Sequence, residues 1–300
     1  MGNKFKGMGV ALVTPFDQKG DIDLTSLKRL VEHLCKDGAA DFLVVHGSTG
    51  ESPCINREER DIVTRCVVEV NNGRLPIMAG LGGNNTKELT QRFIDMDTDG
   101  IDGILSVVPY YNKPSQEGIY RHFASLAEVS PLPIVLYNVP GRVSVNMVPE
   151  TVCRLANEYD NIIGVKEASG YPIQTENIVN MGVPDDFVVL SGDDALSIPI
   201  IQNGAKGVIS VVGNAYPELF SKCIHLAMEG KYNEADLIML QLRNINNLLF
   251  ANGNPSGIKA LLYQMGIIDY NVLRLPLLPV SKQVYDGLAE ARMTLDAQMK

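Results

Sequence analysis

Several classes of functional site are nearly absent from this sequence. Its 300 residues contain four histidines, and these are scattered, with no spacing typical of metal ligands. The five cysteines are an odd number without a Cys-X-X-Cys pair, which favours reduced, mostly buried thiols over a disulfide framework. No apolar run is long enough to span a bilayer. We therefore expect no metal centre, no structural disulfide and no membrane partner.

The charge balance and the N-terminal residues narrow the possible partners and the cellular location of the protein. A net charge of −9 and a pI of about 5.0 argue against a nucleic-acid surface. The N-terminal segment has the pattern of neither a signal peptide nor a transit peptide, and it lacks the Ser or Thr that myristoylation requires. Hydrophobic residues make up 45% of the chain and charged residues 20%, an ordinary globular mixture. We expect a soluble, cytoplasmic protein with no nucleic-acid partner.

Short apolar, β-branched segments alternate with longer amphipathic ones along most of the chain. The predicted strands are Gly9–Phe16, Phe42–Gly47, Pro76–Gly80, Gly103–Pro109, Pro133–Pro140, Ile162–Ser169, Phe187–Gly192 and Gly207–Gly213. About eight strand–helix units in about 230 residues predict an α/β fold, the (β/α)8 or TIM barrel. A doubly wound sheet is the alternative, but Gly80-Leu81-Gly82-Gly83-Asn84 lacks the third glycine of its phosphate-binding fingerprint.

The alternation stops after Gly230. Three helical patterns follow, at Tyr232–Phe250, Gly257–Met265 and Val284–Met299, with Pro276 and Pro279 between the last two. We therefore predict a catalytic barrel domain of residues 1–230 and a C-terminal helical region of residues 231–300. Such extensions often make contacts between subunits.

One lysine lies within an apolar segment. Lys166 belongs to the predicted strand Ile162–Ser169, where an ammonium group would be desolvated, and desolvation disfavours its charged form. A neutral amine is the nucleophile that attacks a carbonyl carbon. Gly164 and Ala168 share the face of the strand with Lys166, and their small size is expected to leave space for a ligand. The alternative is a lysine at a strand end whose amine reaches water or pairs with a carboxylate.

Polar residues follow the ends of the predicted strands, where (β/α)8 barrels have their active sites. Their side chains include hydroxyls, phenols, one arginine and one lysine, and they do not resemble a metal site or a Ser-His-Asp triad. Such groups suit Schiff-base chemistry on a small keto acid, because hydroxyls and phenols can move protons and an arginine can bind a carboxylate. The residues are Thr14, Ser48 to Glu51, Tyr110 to Asn112, Tyr137 to Arg142, Lys166, Gly192 to Asp194, Ile209 and Ser210.

Each candidate also has a structural interpretation. Tyr137 could be a core tyrosine, Arg142 could cap or pair on the surface, and Thr49 could be a turn hydroxyl. Four other residues are expected to be structural: Glu51, His46 as a packed histidine outside the site, and the pair Asp193 and Asp194 as caps of a helix starting at Ala195.

Four segments together resemble a known family. Gly47–Ser52, Pro109–Pro114, Tyr137–Arg142 and Val165–Gly170 are similar to the motifs of the dihydrodipicolinate synthase (4-hydroxy-tetrahydrodipicolinate synthase) family, within the lysine-dependent aldolase superfamily. The resemblance covers essentially the whole chain, because three further segments also fit: Ser191–Asp194, Gly207–Ser210 and Arg274–Leu277.

The resemblance implies a lyase that condenses pyruvate with L-aspartate-4-semialdehyde, in the diaminopimelate route of lysine biosynthesis. It implies no cofactor, because Lys166 itself would form the Schiff base with pyruvate. Tyr137 would relay protons, and Thr49 and Tyr111 would complete the relay. In this family the phenol that matches Tyr111 reaches the neighbouring subunit's site. A homotetramer, built as a dimer of tight dimers, is implied.

The resemblance also implies roles in substrate binding. Arg142 would bind the carboxylate of the semialdehyde. The hydroxyls and backbone amides of Ser48 and Thr49 would hold the carboxylate of pyruvate. The backbone carbonyls of Gly192 and Ile209 would line the pocket.

One departure from the family pattern keeps other activities open. Ser48 replaces the first of two threonines, and sialic acid lyases of the superfamily carry the same Ser-Thr pair. A sister pyruvate-dependent aldolase, acting on sialic acid or a 2-keto-3-deoxy sugar acid, is therefore an alternative, although it would not need Arg142. A non-catalytic regulatory barrel is a second alternative, against which the complete set of candidate catalytic residues argues.

Many members of the family bind lysine as an inhibitor at the dimer interface. Asn84, Glu88 and Tyr110 match the sensitive pattern, but Arg57 and Arg60 stand where inhibited enzymes often have histidine. Two added cations would repel the ammonium of lysine, yet they could hold its carboxylate. Inhibition by L-lysine is therefore open, and the matching positions are Ser52, Pro53, Arg57, Arg60, Asn84, Glu88 and Tyr110.

Overall fold

The computed structural model describes residues 3–299. Eight parallel strands close into a barrel in the order of the chain. They are β1 Gly7–Ala11, β2 Phe42–Val45, β3 Ile77–Gly80, β4 Gly103–Val107, β5 Ile134–Asn138, β6 Ile162–Glu167, β7 Val188–Ser191 and β8 Gly207–Ser210. Strand β8 pairs with β1, with Ser210 opposite Val10, so the sheet has no open edge. This closure confirms the predicted (β/α)8 barrel, and the doubly wound alternative is wrong.

Helices connect successive strands and form the outer layer of the barrel. Their bounds are α1 Leu24–Leu34, α2 Arg57–Asn71, α3 Thr86–Ile94, α4 Gln116–Ala127, α5 Pro140–Val143, α6 Pro149–Glu158, α7 Pro172–Asn180, α8 Ser197–Gln202 and α9 Pro217–Met228. Local sequence sets several starts: Asn56 and Glu59, for example, form a capping box at the beginning of α2. None of the helices in the described part of the chain is long and apolar enough to cross a membrane.

Strand β1 is shorter than predicted, because it ends at Ala11 and not at Phe16. After Ala11 the backbone turns to other partners. The Val13 amide donates to the side chain of Asn214, and Phe16 pairs with Ile22 in an isolated antiparallel bridge. The apolar run therefore continues beyond the strand into the buried start of a loop.

The space beside Lys166 comes from a different glycine than the sequence predicts. A Cβ at Gly164 would lie 2.6 Å from Val188 Cγ2, so β7 fills the space that was expected to accept a ligand. A Cβ at Gly192 would lie 3.1 Å from Lys166 Cε and 2.5 Å from Ala168 Cβ. The missing side chain at Gly192, and not at Gly164, is what leaves room around the lysine.

Three helices follow the barrel, close to their predicted bounds: α10 Tyr232–Phe250, α11 Ser256–Gln264 and α12 Lys282–Gln298. Helix α10 packs on α9, and α11 and α12 pack on each other. One continuous apolar core contains strand residues such as Val44 together with Leu261 of α11 and Leu288 of α12. The division at residue 230 stays a prediction.

Candidate active site

Lys166 and Tyr137 are neighbours across two strands. They lie opposite each other in the ladder between β5 and β6, and the Lys166 amine is 4.5 Å from the centre of the Tyr137 ring. Both side chains are buried, with 7% and 6% of their surface exposed. No carboxylate within residues 3–299 forms an ion pair with Lys166, so the predicted alternatives of a solvated or carboxylate-paired lysine do not describe its surroundings.

A second buried lysine provides a contrast. Lys259 of α11 is fully buried, but its amine lies 2.5 Å from a carboxylate oxygen of Glu51. Because the Lys259 amine is engaged by Glu51, it is not available to attack a carbonyl carbon. Lys259 is therefore not the candidate nucleophile. Sequence reasoning missed this residue, although it lies in the apolar run Ile258–Leu262 and the rule that selects Lys166 would have selected it too.

A cavity of about 380 Å³ opens beside Tyr137. Ser48, Tyr110 and Arg142 line it together with Tyr137. Residues from the C-terminal region also contribute to its wall, among them Asn254. The cavity is large enough for two small organic acids, and it places Tyr137 and Arg142 at one space.

Ser48 and Thr49 belong to one short 3₁₀ turn, Ser48–Gly50, but their side chains take different directions. Ser48 lines the cavity, whereas the Thr49 side chain is buried and its hydroxyl oxygen accepts a hydrogen bond of 2.9 Å from the Asn254 amide. The turn can lie this close to the barrel because a Cβ at Gly50 would be only 3.1 Å from the Leu12 carbonyl oxygen. Ser48 therefore lines the cavity that Tyr137 also lines, and Thr49 does not.

Tyr111 lies apart from the other candidates within this chain. Its side chain is 86% exposed, and its φ of 70° is in the left-handed region. That conformation costs a residue with a Cβ roughly 1 kcal/mol or more. The neighbouring Tyr110 is fixed by its amide, which donates to the Asn84 side chain over 2.7 Å. The exposed Tyr111 side chain is not among the residues that line the cavity.

Arg142 lies on α5, the single helical turn that follows β5. Pro140 begins this turn, and its fixed φ suits the first helical position. The Arg142 side chain is exposed and lines the cavity, and no carboxylate of the described residues pairs with its guanidinium group. The predicted surface ion pair is not observed, and the charge is available to a ligand.

The two predicted backbone contributors lie on adjacent strands. Gly192 follows β7, where its amide donates to the Glu167 carbonyl over 2.7 Å. Ile209 is buried within β8 opposite Gly9. Gly192 is therefore next to the lysine strand, while Ile209 lies one strand further around the barrel.

Asp193 and Asp194 do not act as the pair of helix caps that the sequence predicts. Asp193 does accept hydrogen bonds from the amides of Ala195 and Leu196, although α8 begins only at Ser197. The prediction for Asp194 is wrong: its buried carboxylate accepts from the amides of Val211 and Val212, which follow β8. Burial raises the pKa of Asp194 to about 6.

His46 is packed, as predicted, but it lines the cavity, so its predicted place outside the site is wrong. Its Nε2 forms a hydrogen bond of 2.8 Å with the Thr64 hydroxyl. Burial lowers the pKa of His46 to about 3, so the ring stays neutral. Within residues 3–299 no group of three or more His, Cys, Asp and Glu side chains is arranged to hold a metal ion.

Several positions of the predicted lysine site surround the same cavity, namely Ser52, Pro53, Arg60 and Tyr110. Arg60 donates to the Ser52 carbonyl over 2.5 Å and to its hydroxyl over 2.8 Å. Burial, and then the charge of Arg92, lower the pKa of Arg60. Arg57 lines only a second cavity, of about 370 Å³ along α2, which Arg60 lines too. Asn84 and Glu88 line neither cavity.

The sequence matches the Dihydrodipicolinate synthetase family over residues 4–294. The chain belongs to this family. A curated relative, the 4-hydroxy-tetrahydrodipicolinate synthase of Porphyromonas gingivalis, is 52% identical over 98% of both chains. The predicted family, the lyase class and the predicted activity in lysine biosynthesis are thereby confirmed.

Solved structures agree with this assignment. The dihydrodipicolinate synthase of Thermotoga maritima superposes with a TM-score of 0.94, at 37% identity over 98% of this chain and 99% of that one. The enzyme of Cyanidioschyzon merolae, solved with lysine bound, superposes with a TM-score of 0.92, at 34% identity over 98% of this chain and 99% of that one.

Proposed function

We propose that this enzyme makes 4-hydroxy-tetrahydrodipicolinate from pyruvate and L-aspartate-4-semialdehyde, with Lys166 as the Schiff-base residue. One observation carries the assignment of the residue. Lys166 is a buried lysine without a carboxylate partner in residues 3–299, and it lies against Tyr137, whereas the buried Lys259 is paired with Glu51. A buried amine that no carboxylate pairs with is able to attack a carbonyl carbon.

The chemistry then follows from a lysine amine and a keto acid. The Lys166 amine adds to the keto carbon of pyruvate, and loss of water gives an imine. Removal of a proton from the methyl carbon gives an enamine, which forms a bond to the aldehyde carbon of the second substrate. The amino group of that substrate then displaces Lys166 from the imine carbon, so the ring closes and the enzyme is regenerated. The covalent lysine replaces a dissociable cofactor.

Proton transfer is the task of the hydroxyls. We assign the principal relay to Tyr137, because the centre of its ring lies 4.5 Å from the Lys166 amine. The Ser48–Thr49 turn would supply a second hydroxyl and hold the pyruvate carboxylate. Ser48 lines the cavity while the Thr49 oxygen accepts from Asn254, so Ser48 is the better placed donor and Thr49 the better placed anchor of the turn.

These two roles can be separated by paired substitutions. Ser48→Ala should lower kcat by about 10²-fold if its hydroxyl moves a proton. Thr49→Val should raise KM for pyruvate more than it lowers kcat, because it releases the turn that binds the carboxylate. The reverse pattern would return the relay role to Thr49.

Tyr111 would act in a neighbouring subunit. Its exposure and strained backbone support this assignment, because a phenol held outward is available to a second copy of the chain. Gly192 and Ile209 would line the pocket with backbone carbonyls. We propose a homotetramer built from two tight dimers, in which each dimer forms complete sites.

Substrate choice rests on Arg142. Its unpaired guanidinium group lines the cavity beside Tyr137, where it can bind a carboxylate with two parallel hydrogen bonds. A coupled assay with pyruvate and aspartate semialdehyde tests the proposal directly. Turnover of sialic acid or of a 2-keto-3-deoxy sugar acid, without turnover of the semialdehyde, would favour a sister aldolase instead.

We also propose that L-lysine binds as an inhibitor at Ser52, Pro53, Asn84, Glu88 and Tyr110, with its carboxylate toward Arg57 and Arg60. The lysine-bound relative from Cyanidioschyzon merolae supports the ligand. Isothermal titration with lysine, and the same titration of Arg57→Ala, test this. No heat of binding and no inhibition in the wild-type enzyme would refute it.

A further inference from the structure

A buried ion pair connects the C-terminal region to the loop that carries Ser48 and Thr49. Lys259 Nζ lies 2.5 Å from Glu51 Oε1, and both side chains have 0% exposure. The same amine donates to the Val272 carbonyl over 2.9 Å and lies 4.0 Å from the centre of the Phe16 ring. Lys259 is therefore fixed from three directions.

Glu51 connects the ion pair to the loop, because it belongs to the loop itself. It directly follows the Ser48–Gly50 turn and has a left-handed φ of 54°, which costs a residue with a Cβ about 1 kcal/mol or more. Its second carboxylate oxygen accepts from the backbone amide of Arg274 over 3.0 Å. Both oxygens of Glu51 are thus held by residues of the C-terminal region.

Two more contacts join the same parts of the chain. The Asn254 amide donates to the Thr49 hydroxyl, so the C-terminal region also holds the turn itself. The Arg274 guanidinium group forms an ion pair with Glu59, near the start of α2, and donates to the Cys54 carbonyl over 2.9 Å. The loop between β2 and α2 is therefore held at its beginning and at its end.

Stability alone does not account for such a pair. Replacing a buried ion pair by apolar side chains of similar volume is often neutral or stabilising, whereas removing one partner costs about 3–5 kcal/mol. What this pair adds is direction, because one oxygen of Glu51 lies against the Lys259 amine and the other accepts from the Arg274 amide. A directed contact next to a strained residue fixes a conformation.

We propose that Lys259 is a positioning residue: through Glu51 it holds the Ser48–Thr49 turn toward Tyr137, and the C-terminal region thereby completes the active site. The inference rests on the proposed Schiff-base function. It assigns to residues 254–274 a part in binding pyruvate, beyond any part in subunit contacts.

Two variants separate positioning from stability. Lys259→Met leaves Glu51 buried without its partner, and the double variant Lys259→Met, Glu51→Leu replaces the pair by apolar groups. We expect the double variant to recover most of the melting temperature lost by Lys259→Met. We also expect it to keep a kcat/KM for pyruvate about 10²-fold below wild type, since a misplacement of about 1 Å costs that much.

A wild-type kcat/KM in the double variant would overturn the proposal, because the pair would then be structural only. Should Lys259→Met fail to fold, the double variant alone decides. Lys282→Met is the matched control, since it breaks an exposed pair with Asp286 in the same region and should leave both KM and kcat unchanged. Absence of turnover in the wild-type enzyme would instead refute the proposed function. The effect of the Lys259 variants on pyruvate binding could then still be measured by borohydride trapping.

Discussion

His122 makes the stability of this enzyme sensitive to acid. The ring is buried in α4, with Nδ1 hydrogen-bonded to the Thr86 hydroxyl at 2.8 Å, and its Nε2 has no partner in residues 3–299. Burial lowers the pKa of His122 from 6.5 to about 4. The informative substitution is His122→Asn, because the amide can keep the bond to Thr86 but does not titrate in this range.

The sign and size of the effect follow from linkage. Between the two pKa values the unfolded chain binds a proton that the folded chain refuses, so stability rises with pH across this window and is lost as the pH falls. At about pH 5 the unfolded ring is almost fully protonated and the folded ring is about one-tenth protonated. Acidification from about pH 7 to about pH 5 should therefore lower the free energy of unfolding by about 1.8 kcal/mol through His122 alone.

Urea unfolding at both pH values, at one protein concentration, measures this decrease in the free energy of unfolding. The decrease should be smaller in His122→Asn than in wild type by the amount given above. His225→Gln is the control of opposite sign, because hydrogen bonding to Asp41 raises the pKa of His225 and so favours the folded state at low pH. An equal decrease in wild type and His122→Asn would refute a buried, neutral ring.

Three substitutions test the proposed catalytic roles. Tyr137→Phe keeps the ring beside Lys166 but removes the phenolic proton, so kcat should fall by about 10²–10⁴-fold while the melting temperature is unchanged; an unchanged kcat would contradict the relay. Arg142→Ala should raise KM for the semialdehyde by about 10- to 100-fold through loss of a charged hydrogen bond, with KM for pyruvate little changed; equal rises would contradict its role. Tyr111→Phe mixed with Lys166→Ala should regain activity that neither variant has alone, if the phenol acts on a neighbouring subunit; an inactive mixture would place it elsewhere.

Local signals were sufficient to predict the barrel and to single out Lys166 as a candidate. The alternation of apolar runs predicts every strand of the barrel, because each strand is covered on both faces and must be apolar throughout. Lys166 is visible for the same reason, as a charged residue where the pattern requires an apolar one. Errors at strand ends, as at Phe16, arise because a buried loop is as apolar as a strand.

The contacts that the sequence could not show join distant parts of the chain. The bond between Thr49 and Asn254 spans 205 residues, and no local pattern predicts the direction of a side chain across that separation. The same holds for Glu51 and Lys259, and for Asp194, whose partners lie at the end of the next strand. The predicted space at Gly164 failed because register with β7, not residue size, decides what fills it.

The central claim is that pyruvate forms a Schiff base on Lys166. Borohydride reduction in the presence of pyruvate, followed by peptide mass mapping, tests it most directly. The account predicts that the peptide containing Lys166 gains the mass of pyruvate less water plus two hydrogens, and that Lys166→Ala is not labelled. Label on the peptide containing Lys259, or no label in the active enzyme, would contradict it.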